Sequence, residues 1–126
     1  MNAISVVLIV VGIVHLLPLK GALGSDHLVE LYGVAPPDFD LELLLRHRAI
    51  LFSLLGAFMI LAAFNKSYQP MAVVAGIVST SSFIYLSWVI GKPNELISRV
   101  VLVDWVATVL LVFSGFVLIY KGIHNQ

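Results

Sequence analysis

The sequence predicts an all-α, polytopic membrane protein: an antiparallel four-helix transmembrane bundle with a short interfacial helix between its first two spans. The 126 residues are 60% hydrophobic and 11% charged, whereas a soluble domain is about 45–50% apolar and about 25% charged. The apolar residues also run in four long stretches without alternation, which favours helices over strands. Helices suit a bilayer because all their backbone groups are hydrogen-bonded within one segment.

The same composition excludes several classes of protein. A small soluble domain leaves much of its surface exposed and could not cover so much apolar area, so a cytosolic enzyme is not expected. The chain has no cysteine, which excludes disulfides, thiolate metal sites and cysteine nucleophiles. Its 7 basic and 7 acidic residues cancel, so we expect no nucleic-acid partner. Membrane lipid is the expected surrounding.

The four apolar stretches define a single membrane domain over residues 1–126. Each stretch approaches the about 20 residues that a membrane helix needs. Two short connections, residues 65–69 and 91–94, should make neighbouring helices antiparallel. The predicted spans are residues 3–19, 43–64, 71–91 and 96–120.

The long connection between the first two spans contains the predicted interfacial helix, residues 26–32. Ser25 is its expected N-cap and Gly33 its expected end. An apolar stripe on this helix suits a position on the membrane surface or over the mouth of the bundle; the stripe consists of Leu28, Leu31 and Tyr32. Beyond it, extended chain is predicted at Pro36 and Pro37, and the cap of the second span at Asp40.

Four spans place both termini on one side of the membrane. Lys66 and Lys121 lie on that side, and Lys20 and Lys92 lie on the other. If Arg46, Arg48 and Arg99 count as loop charges, the excess of basic residues places the long connection in the cytoplasm; if they belong to a site, the numbers of basic residues on the two sides are equal. We expect cytoplasmic termini in the inner membrane of a bacterium.

Ionisable residues within the spans gather at the end that carries the long connection, and such residues indicate a functional site. Helical phase places only three of them on the faces with small residues, where membrane helices approach closely. His15, Arg46 and Asp104 should then point into the bundle. The predicted ligand-binding residues are His15, Arg46, Arg48 and Asp104, with His47, Glu42 and Arg99 as secondary candidates.

Each candidate also has a purely structural interpretation. Asp104 is either a proton acceptor or ligand anchor, or the partner of Arg46 or Arg48 in an ion pair. His15 is either a proton shuttle or ligand, or a histidine that is hydrogen-bonded to a neighbouring helix. Pro18 cannot donate to the Val14 carbonyl, which should leave a polar notch beside the His15 ring.

The remaining charges on the second and fourth spans have simpler roles. Arg46, His47 and Arg48 are consecutive on a helix and cannot all face inward, so at least one should extend to the lipid headgroups. Glu42 is spaced to pair with Arg46. Arg99 lies on nearly the opposite side of its helix from Asp104, which favours a role for Arg99 as an anchor to the lipid headgroups.

No cofactor is expected. His15 and His47 lie at matched depth, which raises the alternative of a haem held by two histidines. His47, however, lies about 135° from the small-residue face of its helix, which makes such a site across the bundle awkward.

Several stretches resemble a family of short bacterial four-span membrane proteins that is similar in layout to the DoxX-like group. They are GIVHLLP (12–18), LYGV (31–34), LLRHRAILFSLLGAFMILAAF (44–64) and VLVDW (101–105). The resemblance implies the fold and brings no established catalytic residues. Some members carry the name phosphopantetheine adenylyltransferase, but that enzyme needs a phosphate-binding strand–turn–helix, which this chain lacks.

The residues favour a protein that binds a small amphiphilic or lipid-like molecule near one membrane face, or that acts as an accessory subunit. Phe52 and Phe83 could contact the apolar tail of such a molecule. The alternatives are a small proton-coupled transporter that works as a homodimer, and an intramembrane enzyme with His15 and Asp104 as acid–base groups. Serine-hydrolase and HEXXH motifs are missing, so we predict no catalytic residue and no metal ligand.

Overall fold

The computed structural model describes residues 2–35 and 37–124, and within them every regular element is a helix. Pro36, half of the pair predicted to be extended, lies outside the described residues. Four helical stretches are long and apolar enough to cross a membrane: Ala3–Leu23, Phe39–Ala63, Lys66–Ile90 and Glu95–His124. The all-α class and the number of apolar spans are therefore confirmed.

The helices are joined by short segments. A 3₁₀ segment, Leu17–Leu23, follows the first helix, and a second 3₁₀ segment, Lys66–Tyr68, precedes the fourth. The α-helices are α1 (Ala3–Leu16), α2 (Ser25–Tyr32), α3 (Phe39–Ala63), α4 (Gln69–Ile90) and α5 (Glu95–His124).

Pro18 changes the end of α1 in a way that differs from the prediction. The helix tightens into a 3₁₀ segment at Leu17, whose N–H bonds to the carbonyls of Ile13 and Val14. The Val14 carbonyl therefore has a partner despite the proline, and the expected polar notch is not formed. Tightening of the last turn commonly satisfies carbonyls at a helix end.

Two predicted caps are wrong by one or two residues. The N-cap of α2 is Gly24, and Ser25 is the first helical residue. The N-cap of α3 is Asp38, whose carboxylate accepts from the Leu41 N–H at 2.8 Å, and Asp40 lies in the first turn. In both cases the helix begins earlier than the apolar pattern indicates, because polar residues continue its first turn.

The end of α2 at Gly33 is confirmed. Gly33 has a φ of 63°, the left-handed conformation that glycine adopts without strain. The Asn94 side chain joins this end of α2 to the start of α5: its Nδ2 donates to the Tyr32 carbonyl at 2.7 Å, and its Oδ1 accepts from the Ile97 N–H at 2.9 Å. On its inner face, α2 buries Leu28 completely.

The helices pack most extensively as two pairs, α1 with α3 and α4 with α5. The first pair crosses at two glycines: a Cβ on Gly56 would lie 2.6 Å from the Gly12 carbonyl oxygen, and a Cβ on Gly12 would lie 2.8 Å from that of Gly56. The small-residue faces of α1 and α3 are therefore in contact at Gly12 and Gly56. The shared core includes Ile4, Leu8, Val11, Met59, Val73 and Leu111.

Candidate functional site

One cavity of about 240 Å³ lies beneath α2 and between α1, α3 and α5. We call it the Asp104 cavity. Its apolar walls include Val14, Leu31, Phe52 and Val103, and its polar lining comes from Tyr32, His15, Asp104 and Arg99. Two wall residues, Leu17 in the 3₁₀ segment that follows α1 and Val103 in α5, are also exposed, so they form an apolar rim of the cavity.

Asp104 is the buried acid of this cavity, with 6% of its surface exposed. It lies on the inward face of α5 with Leu111, as helical phase predicts. Thr108 donates to its backbone carbonyl at 2.7 Å, but within the described part of the chain no group hydrogen-bonds to its carboxylate or forms a salt bridge with it. The predicted ion pair with Arg46 or Arg48 is thus not formed there, and the carboxylate faces the cavity.

His15 is buried, with 3% exposed, and both of its ring nitrogens are engaged. Nδ1 lies 2.9 Å from the Val11 carbonyl oxygen, and Nε2 lies 3.1 Å from the Ser79 hydroxyl. Because a carbonyl oxygen only accepts, the neutral ring carries its proton on Nδ1, and Nε2 accepts from Ser79. The ring also packs against Phe52, at 4.9 Å between centroids. His15 therefore links α1 to α4 and also lines the cavity.

Removing the Ser79 hydroxyl should leave Nε2 of His15 without its partner. We expect Ser79→Ala to lower the free energy of unfolding by about 1 kcal/mol, since a hydrogen bond between membrane helices contributes roughly that much. Thermal unfolding in detergent measures the change. Ser82→Ala is the matched control, because Ser82 is exposed and donates only to a carbonyl of its own helix. Equal effects of the two variants would contradict the pairing of His15 with Ser79.

Arg46 does not reach Asp104. Its Nε donates to the Ala22 carbonyl at 3.0 Å, and its Nη1 lies 3.2 Å from Glu42 Oε1. The predicted i,i+4 pair with Glu42 is therefore present. However, Arg46 lines a different cavity, together with His47. The structure separates Arg46 from the two residues that were expected to share its site.

Arg48 lies behind one wall of the Asp104 cavity. Its guanidinium carbon is 4.4 Å from the ring centroid of Phe52, 5.3 Å from that of Phe83 and 5.8 Å from that of Tyr32. Its Nη1 donates to the Tyr32 hydroxyl at 2.9 Å. Contact with aromatic faces stabilises a cation. Arg48 therefore holds the Tyr32–Phe52 wall in place and faces a second cavity on the far side.

Two of the secondary candidates, Arg99 and His47, are exposed. Arg99 pairs with Glu95 at 3.1 Å on the surface of α5 and also reaches the rim of the Asp104 cavity. His47 is exposed and lines the same cavity as Arg46, whereas His15 lines the Asp104 cavity. The described residues also contain no group of three or more side chains placed to bind a metal ion.

No protein-family model, no curated protein and no solved structure matches the chain. The function must therefore be inferred from the site itself.

Sequence reasoning missed the contribution of two side chains to this site. Tyr32 is predicted only as part of an apolar stripe on the membrane surface or over the mouth of the bundle, yet its hydroxyl also binds Arg48, and Tyr32 lines the cavity. Ser79 is not among the candidate residues predicted from the sequence, yet it binds His15. The available signal was helical phase, which places Ser79 on the inward face of α4; the partner in each case lies far away in sequence.

Proposed function

We propose that the protein is an integral membrane protein that binds a small amphiphilic molecule in the Asp104 cavity. The observation that carries this proposal is the Asp104 carboxylate, which faces the cavity without a hydrogen-bond donor from the described residues. A carboxyl group at membrane depth is costly unless it is hydrogen-bonded or paired. A ligand whose polar head donates hydrogen bonds, such as an amine or a hydroxyl, would supply the missing partner.

The shape of the cavity supports an amphiphile over a fully polar ligand. Its volume of about 240 Å³ is below the about 300–1,000 Å³ of sites that enclose a drug-sized molecule. The cavity therefore suits a polar head and the first part of a tail. The exposed rim residues Leu17 and Val103 would let the rest of the tail extend between α1 and α5 into lipid.

The proposed arrangement in the membrane is an antiparallel bundle, DoxX-like in layout, with α2 on the membrane surface above the cavity. The short turns between α3 and α4 and between α4 and α5 support it. So does α2, which buries Leu28 and exposes Glu30. The hydrogen bond and positive charge of Lys20 lower the pKa of Glu30, which favours the charged carboxylate at a wet surface. We propose cytoplasmic termini and a bacterial inner membrane.

The test is to block the cavity without touching its polar groups. Native mass spectrometry of the protein, released gently from its own membrane, should show a defined bound mass. Val103→Trp places a large side chain at the rim and should lower the occupied fraction at least about tenfold, since complementary packing is lost. Val109→Trp is the matched control, because Val109 is exposed on the same helix outside the cavity. A wild-type protein that carries no bound mass would contradict the proposal, as would equal effects of the two variants.

A second candidate function is an intramembrane enzyme, and the observation that favours it is the hydrogen bond from Ser79 to His15. A hydroxyl that donates to an imidazole is the first requirement for an activated serine nucleophile. A fluorophosphonate probe should then label wild-type protein and fail to label Ser79→Ala. Wild-type protein that stays unlabelled would argue against this candidate. Proton-coupled flux in vesicles that disappears in Asp104→Asn would instead favour the dimeric transporter.

A further inference from the structure

A second cavity, of about 490 Å³, lies between the end of α4 and the start of α5, on the far side of the Tyr32–Phe52 wall. Arg48 and Lys92 both line it, and its lining contains no acidic residue. Neither cation forms a salt bridge within the described residues. The rest of its wall is largely apolar and includes Phe83, Leu86, Ile90 and Ile97. We call it the cationic cavity.

The Arg48 side chain is held ready for an anion. Its guanidinium carbon lies within 5.3 Å of the ring centroids of Phe52 and Phe83, and one of its five N–H groups is used by the Tyr32 hydroxyl. The remaining N–H groups have no partner among the described residues, and a planar guanidinium suits the paired oxygens of a phosphate. Little side-chain entropy is left to lose when an anion binds, because the rings already fix the orientation.

Lys92 adds a second positive charge at the mouth of the cavity. It is exposed in the turn between α4 and α5, beside Gly91 and Pro93. Next to it, Leu86 and Ile90 are exposed on α4 and continue the apolar wall outward. The cationic cavity thus joins a site for negative charge to a surface for an acyl chain.

We propose that the cationic cavity binds the phosphate of a membrane phospholipid, with Arg48 and Lys92 on the phosphate oxygens and an acyl chain along Leu86 and Ile90. Charge complementarity and the apolar wall favour an anionic lipid over a free ion. This site is separate from the Asp104 cavity, and it stands whether or not that cavity holds a ligand.

The test uses purified full-length protein in detergent, titrated with phosphatidylglycerol and read by native mass spectrometry. Lys92→Gln removes one charge from an exposed turn and should weaken phosphatidylglycerol binding about fivefold, since one basic residue near an anionic lipid contributes about that factor. Lys66→Gln is the matched control: Lys66 is exposed in the 3₁₀ segment before α4, outside the cationic cavity. It should leave binding unchanged.

Arg48→Gln tests the main contact and should weaken binding more than Lys92→Gln does. Because Arg48 also contacts three aromatic rings, circular dichroism is used to check that the Arg48→Gln protein is folded. Arg48→Lys serves as the variant that keeps the positive charge. Binding that is unaffected by Lys92→Gln, or lowered equally by Lys66→Gln, would overturn the proposal. Inorganic phosphate that displaces bound phosphatidylglycerol at concentrations similar to that of the lipid itself would overturn the lipid assignment in favour of a free anion.

Discussion

Replacing Asp104 by Asn should remove the bound amphiphile and at the same time make the ligand-free protein more stable. The carboxylate faces a cavity and has no described hydrogen-bond donor. A hydrogen bond to a charged group contributes about 1.5–3 kcal/mol, so its loss should weaken binding more than about tenfold. Burying a charge in a membrane helix costs about 2.5–3.5 kcal/mol, and the neutral amide avoids much of that cost.

Both effects are measured on one set of samples, by native mass spectrometry for occupancy and by thermal unfolding in detergent for stability. Asp40→Asn is the matched control: it makes the same chemical change at an exposed position in the first turn of α3. The control should keep the bound mass and change the free energy of unfolding by less than about 0.5 kcal/mol. If Asp104→Asn instead destabilises the ligand-free protein, the carboxylate is a structural partner within the chain.

The number and approximate bounds of the spans could be predicted because hydrophobic length is a property of local sequence. Span two was predicted to begin at residue 43, whereas α3 begins at Phe39. The difference arises because Asp38 caps the helix and polar residues occupy its first turn, where hydropathy carries no signal. Periodicity alone also identified the inward faces of α1 and α5, including His15 and Asp104.

The partners of the charged side chains could not be predicted in the same way. Arg46 shares a helical phase with Ser53 and Gly56, so it was expected to point at Asp104. The 3₁₀ segment after α1 instead offers the Ala22 carbonyl, which binds Arg46. Arg48 gains rings from three separate elements, and no local pattern indicates that Tyr32 and Phe83 meet on one guanidinium. Long side chains reach several positions, and tertiary contacts decide which one is occupied.

The crossing of α1 and α3 leads to the second large prediction: three Gly→Ala variants should change the free energy of unfolding in a definite order. Alanine normally stabilises a helix by about 1 kcal/mol relative to glycine. At Gly122 a new Cβ meets nothing within 4 Å, so Gly122→Ala should be neutral or slightly stabilising. At Gly76 the Cβ meets the flexible ends of Met59 and Leu111, at 2.7 and 2.9 Å, and these can move aside at moderate cost.

Gly56→Ala should be the most damaging of the three, because its Cβ would lie 2.6 Å from the Gly12 carbonyl oxygen, a backbone atom that cannot rotate away. The helices must separate, and we expect a loss of about 1–3 kcal/mol in the free energy of unfolding, as for overpacked cores. Thermal unfolding in detergent gives the order. The same Cβ would lie 3.0 Å from Cβ of His15, so any folded Gly56→Ala protein should also bind less amphiphile. Three equal unfolding midpoints would mean that α1 and α3 do not cross at these glycines. The placement of His15 beside the Asp104 cavity, which depends on that crossing, would then also be wrong.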